Sequence, residues 1–299
     1  MTAVAETTRA APIVAKGGNR PPIGHTIASA LSMVILFGYS IFVFLPFVWS
    51  VITSFKTLPD SLRLTFIPNP FTTYGYTKAF TQLDPNVVIL FFNSALIAAI
   101  VTATNILLGA LGGYAFARLR FPGREVLFLA VLGTMMIPDQ LRLVPVYQIL
   151  TALHLVAPGP ENYLGLILIL AVSATSLFIM RQFFLTVPYD LEEAAMLDGA
   201  GTFTTFWQVM LPLSKPALAA VAILSFQGSW NGFFWPLVIL QYKGHWTLPL
   251  GITQFRFLYN TDWPPLMALT VLATIPILVL YVFFQRYFVG GTVSAAVKG

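Results

Sequence analysis

Two groups of side chains in this sequence have the types and spacing to do chemistry. Asp190, Glu192, Glu193 and Asp198 gather carboxylates in residues 188–216, the longest markedly polar interruption in the second half of a very apolar chain. Glu193 there can pair with a basic group on a partner, a contact that strengthens as water is excluded. Gln227, Asn231 and Trp235 recur at intervals of four, with Trp230 and Phe234 beside them, so on one helix they share a face. Neutral amides pair with hydroxyls while aromatic rings cover C–H faces, a combination suited to an uncharged polyhydroxylated ligand. The adjacent Gly228 and Gly232 form a G-x-x-x-G pair, so Asn231 can equally be bonding across a close helix contact. Both readings stand.

Other chemistries are excluded. No Gly-Lys dipeptide occurs, so the chain has no phosphate-binding P-loop and any ATP is bound elsewhere. Zero cysteines rule out disulfides and thiolate metal sites, and His25, His154 and His245 are too scattered for a metal-ligand pair. The apolar interiors of the second, fourth and sixth candidate spans hold essentially no ionisable residue, which argues against ion-coupled transport and intramembrane hydrolysis.

The elements that must position these residues are membrane helices. With 9% charged residues among 299 and a mean hydropathy of +0.80, a soluble single-core protein is excluded. The pattern predicts an all-α polytopic membrane protein of six transmembrane helices. Residues 1–25 read as a disordered cytoplasmic arm and 26–299 as the transmembrane domain. Spans are expected at about residues 27–52, 87–117, 126–155, 164–185, 217–240 and 266–288. The third span is broken: residues 126–138 cover only about 20 Å at 1.5 Å per residue before Pro138, Asp139 and Gln140 intervene. A break there either lines a cavity or surfaces among headgroups with Arg142 snorkelling. Of the 16 Lys and Arg, Lys56, Arg63, Lys78, Arg142, Lys243 and Arg256 fall in outer segments and the rest in inner ones. This bias places both termini in the cytoplasm. Arg118, Arg120 and Arg124 then mark a short basic inner turn, and the charge of +5 speaks to orientation rather than to nucleic acid.

Within residues 188–216, Asp190 and Glu193 have capping-box spacing. Gly199 and Gly201 permit a turn, Thr202 can cap a second short helix over residues 203–210, and Pro212 and Pro216 end it. Two short helices at a bend make a docking knob.

Glu193-Ala194-Ala195, three residues, Asp198 among them, then Gly199, nine residues, and Val209-x-Leu211-Pro212 resembles the EAA loop of ABC importer permeases, with valine for the usual isoleucine. LPLSKPAL, SWNGFFWPL and the terminal AAVKG extend the resemblance to maltose-type carbohydrate permeases, over essentially all the chain after about Ser29. The resemblance implies that the loop forms coupling helices seated in a groove of a cytoplasmic ATPase. It implies two ATPase copies carrying ATP and Mg²⁺, a homologous second permease, and an extracytoplasmic solute-binding protein. It also implies that residues 242–265 engage that binding protein, with Lys243, His245, Trp246, Arg256, Tyr259 and Trp263 the residues of interest. The other reading of these aromatics is a membrane-interface belt. An Ile-Pro break near the translocation path is likewise a feature of the resembled family. Its frequent acidic residue is Gly232 here, so any role of that carboxylate is absent.

The expectation is therefore a non-catalytic permease subunit, in the inner membrane of a prokaryote, for a sugar or sugar-like solute. The alternatives are an importer permease for amino acids or peptides, an ATP-independent secondary carrier, and a membrane scaffold or enzyme.

Overall fold

The computed structural model describes residues 23–156, 159–256 and 260–296. The arm up to residue 22, Tyr259, and Val297, Lys298 and Gly299 of the terminal motif lie outside them. Among the described residues every regular element is helical, and the one β contact is an isolated bridge between Arg256 and Thr261. Three helices are long and apolar enough to cross a membrane, and up to six spans result if each bent pair counts as one.

The chain divides into a unit of residues 1–48 and one of residues 49–299. Most of α1 (Ile23–Ser54) belongs to the first, where apolar side chains from Leu31 to Phe47 are exposed. A helix apolar all round has no polar face to give to water.

In the second unit, α2 (Leu58–Ser61) and α3 (Tyr74–Gln82) precede α4 (Val87–Arg118), the axis of the fold. Asn86 starts α4 by accepting a hydrogen bond from the Ile89 N–H at 3.0 Å. Small residues then let α8 (Ala174–Thr186) cross α4 at backbone contact. A Cβ on Gly113 would lie 2.6 Å from Met180 Cβ, and one on Gly109 3.1 Å from Ser176 Cβ. The G-x-x-x-G seam of this chain is therefore Gly109–Gly113. A Cβ on Gly228 would meet nothing within 4 Å, so that glycine opens onto space rather than onto a helix.

Breaks shape the remaining spans. α5 (Arg124–Thr134) and α6 (Asp139–Ala152) meet at 103°, with Pro138 starting the second helix. The stretch expected as an unbroken fourth span is α7 (Glu161–Leu170) and α8, bent by 44°. The expected fifth span is α12 (Lys215–Trp230) and α13 (Phe234–Ile239), interrupted at residues 231–233. A continuous helix would clash Pro236 against the Gly232 carbonyl; restarting at Phe234 puts the proline in a first turn, where its missing N–H costs nothing.

The chain between α8 and α12 forms α9 (Asp190–Leu197), α10 (Thr202–Thr205), a π-helical turn (Phe206–Met210) and α11 (Leu211–Leu213). α14 (Leu248–Ile252) lies in the following loop, and α15 (Trp263–Ala296) closes the chain. One core cluster, around Tyr114, Phe184, Phe206 and Met210, roots the α9–α11 segment. Two others pack the opposite end of α4, around Leu90, Trp230 and Leu248 and around Ile97, Trp235 and Ile239.

Candidate functional site

The α9–α11 segment has a buried root and an uncovered tip. Phe206 and Met210 insert between Tyr114 and Phe184, with the Phe206 ring 5.1 Å from that of Tyr114. At the tip, Leu197 is 89% exposed and Phe203 72% exposed, and Glu193, Ala194 and Asp198 are exposed with them. Gly199 turns the chain between the two helices at φ +86°, where a side chain would be strained. Ala195 is half-buried, Leu211 likewise, and Pro212 is exposed.

Several local expectations change. Tyr189, not Asp190, precedes α9, and no side chain caps it, so the Asp190–Glu193 box does not form. Gly201 stands at the cap position of α10 in place of Thr202. Pro212 does not end the second helix, which continues to Leu213. The wide turn before it, with Leu211 N–H bonded to Phe206 O, loosens the turn the proline ring would otherwise strike. The break comes at Ser214, where the chain bends 77° into α12.

Arg118 is not part of a free basic turn. Its side chain is 1% exposed and lies 2.9 Å, Nε to Oε1, from Glu192, itself 7% exposed. Burial pushes the Glu192 carboxyl above the usual glutamate value, against the opposing pull of Arg118 and the Tyr114 hydroxyl. The sequence reading missed this pair. Its one signal was Glu192 standing on a different helix face from Leu191 and Ala194.

The expected face of the fifth span divides. Gln227 and Asn231 are exposed, with exposed Gly228 beside them. Trp230 is buried in the core, its Nε1–H donating to Ala273 O at 2.9 Å and its ring stacked on Phe226. Trp235 is buried against the Ile97 and Val101 cluster and sits in α13, not on a common helix with Gln227. Both tryptophans are packing residues here, because an indole that finds a carbonyl or an apolar cluster gains more by burial than by lining.

A cavity of about 400 Å³ lies instead between α4, the α7–α8 break and α12. Asn105, Ser173, Ser176, Ser225 and Ser229 give it polar walls, and Gly228 leaves it open. Asn105 holds the break together: its Nδ2 donates to Leu170 O at 2.8 Å and its Oδ1 accepts from Ser173 N–H at 2.9 Å. Ser229 Oγ is buried without a hydrogen-bond partner among the described residues. The serines at 225 and 229, one turn apart in an apolar run, were the sequence signal for this wall.

Pro138, Asp139 and Gln140 are exposed, and Asp139 pairs with Arg142, so the break is not brought to the cavity within this chain.

The loop at residues 242–265 is folded against its own spans. Asn93 Nδ2 donates to Gly244 O and Trp246 O, both at 2.9 Å, and Tyr163 OH donates to Asn93 Oδ1. His245 Nδ1 lies 3.0 Å from Asn162 Oδ1, and burial lowers the imidazole below its ordinary value, keeping it neutral. Trp246 is half-buried. Lys243, Arg256 and Trp263 are exposed, the latter two beside a cleft of about 520 Å³.

Residues 105–292 match the family described as binding-protein-dependent transport system inner membrane component. The chain is 34% identical over 276 residues to the arabinooligosaccharides transport system permease protein AraQ of Halalkalibacterium halodurans, covering 90% of this chain and 97% of that one. It is 34% identical over 271 residues to the diacetylchitobiose uptake system permease protein NgcG of Streptomyces coelicolor, covering 89% and 87%. Its fold matches a chain of a bacterial ABC transporter involved in the import of the acidic polysaccharide alginate, with a TM-score of 0.75, 23% identity, and 89% and 98% coverage.

Proposed function

The chain belongs to the binding-protein-dependent transport system inner membrane component family, and from that premise we propose that it is the membrane-spanning, non-catalytic subunit of an ATP-driven importer for a sugar or sugar-like solute. The observation that carries this reading is the segment of residues 188–216: a loop folded and anchored at its root, yet exposing Leu197 and Phe203 at its tip. Apolar side chains held out on a structured base need a partner to cover them. Glu193, Ala194, Asp198, Gly199 and Pro212 on or beside that surface would meet a cytoplasmic ATPase dimer carrying ATP and Mg²⁺.

The solute class rests on the oligosaccharide systems named for the relatives and on the chemistry of the cavity. Hydroxyls and amides without an ionised group suit a neutral polyol, with Gln227 and Asn231 on the adjoining exposed surface. A homologous second permease would cover exposed apolar faces such as Val126 and Leu129 of α5. A binding protein would dock on the loop carrying Lys243, Arg256 and Trp263, outside a prokaryotic inner membrane with both termini in the cytoplasm. ATP-driven closure of the ATPase would move the loop and rock the spans, because ATP binds the two conformations with different affinity.

Purification from native membranes tests this. An ATPase, a second permease and a solute-binding protein should co-purify, and Glu193→Lys should lose the ATPase while the chain still inserts. Uptake into liposomes by this chain alone would sink the proposal.

A further inference from the structure

One side chain at the end of α4 grips the segment leading into α9 at three successive points. Arg118 Nη2 donates to Val187 O, its guanidinium lies 4.1 Å over the Tyr189 ring, and its Nε meets Glu192 Oε1 at 2.9 Å. Tyr114, one turn back on the same face of α4, lies beside the Glu192 carboxylate. A carbonyl, a ring face and a carboxylate are thus tied to a single 32-residue helix.

Stability alone does not account for this arrangement. A buried ion pair roughly breaks even against apolar side chains of the same volume. Here Arg118 Nε and Nη1 and Glu192 Oε1 have no aligned hydrogen-bond partner, despite their short ionic contact. Charge attraction therefore holds Glu192 to Arg118 without an aligned hydrogen bond to lock their angle, while the directional bond of this guanidinium runs to Val187 O. Neighbouring acids also take opposite roles: Glu193 faces outward, and Glu192 faces α4.

We infer that Arg118 is a positioning residue, the joint through which movement of the 188–216 loop is delivered to α4, with Glu192 as the loop's half of that joint. It works alongside the covalent route through Ser214 into α12, and it rests on the proposed coupling of this loop to an ATPase. Lysine cannot replace arginine at such a joint, because a point charge cannot serve the carbonyl, the ring and the carboxylate together.

The test uses the native complex with a spin label at Val88→Cys, an exposed position in the first turn of α4 at its far end, in a chain with no other cysteine. The probe is ATP trapped with orthovanadate. In the otherwise unaltered complex, trapping should change the label's spectrum. In Arg118→Lys and in the isosteric Glu192→Gln, the complex should assemble and hydrolyse ATP, while the spectral change falls about fivefold or more. A full spectral change in either variant overturns the inference, even if the complex melts at a lower temperature, since that is the signature of a merely structural pair. Failure of both variants to assemble also overturns it. An unaltered complex that lacks an ATPase, or whose label ignores trapped ATP, counts instead against the proposed function.

Discussion

The loops at residues 188–216 and 242–265 are both polar interruptions between apolar spans, and both carry large apolar side chains, but they dispose of them in opposite ways. In the second loop Leu248 and Phe255 are buried in one cluster with Leu90 of α4 and Leu269 of α15, and Leu250 is buried as well. In the first, Leu197 and Phe203 stand in the open while only Phe206 and Met210 turn inward. The second loop also satisfies its backbone internally, through Asn93 and through Ser94, whose Oγ accepts from Leu248 N–H at 2.7 Å. A loop that fills its own core needs its partner only at a rim, where Lys243, Arg256 and Trp263 stand. One that leaves apolar surface uncovered is half of an interface.

Replacing the two phenylalanines of the first loop separately tests this contrast most severely. Phe206→Ala should cost about 3–5 kcal/mol, because it empties the root between Tyr114 and Phe184. Phe203→Ala should change the stability of the isolated chain by less than about 0.5 kcal/mol and yet weaken retention of the ATPase. Thermal melts of the chain and of the complex measure both. Equal losses in the isolated chain would erase the distinction between root and tip.

In the second loop the counterpart is Asn93→Leu, which leaves the Gly244 and Trp246 carbonyls and the Tyr163 hydroxyl short of a partner. It should destabilise the chain by about 1–3 kcal/mol, read by denaturant or thermal unfolding in detergent. No change would mean that the loop is not tied to α4 as described.

Asn231→Leu sharpens the comparison between exposed and packed residues of α12. Asn231 is exposed and Trp230 is buried, so leucine at 231 should leave the melting temperature of the purified complex near normal while lowering or shifting sugar uptake. A destabilised complex that still moves its sugar normally per assembled unit would place Asn231 at a helix contact.

The smallest expected effect concerns pH. His245 titrates below the ordinary histidine value of 6.5 in the folded chain, chiefly through burial. Its contribution to stability is therefore complete above that value and is lost as pH falls, because the unfolded chain takes up the proton first. Acidification through this window should lower the melting temperature of the unaltered chain, and that of His245→Gln by less. Equal slopes would show that the imidazole is not held neutral by the loop.

The sequence by itself determined the class of the molecule and the place of its loop. Apolar runs long enough to span a bilayer, charges gathered mostly at connectors, and the spaced Glu193, Gly199 and Pro212 are all local properties of the chain, as is the Pro138 break. Tertiary structure decided which side of each helix is filled. Period alone could not tell that Trp230 finds Ala273 O, 43 residues away, or that Gly113 rather than Gly228 admits a neighbouring helix. Nor could it tell that Arg118 leaves its basic turn for Glu192. A lone arginine and a run of acids look solvated until the fold brings α4 beside α9, and burial then makes their pairing obligatory. The cavity polarity has the same origin: Asn105, Ser176 and Ser225 come from three helices that meet only because small residues let α8 close on α4.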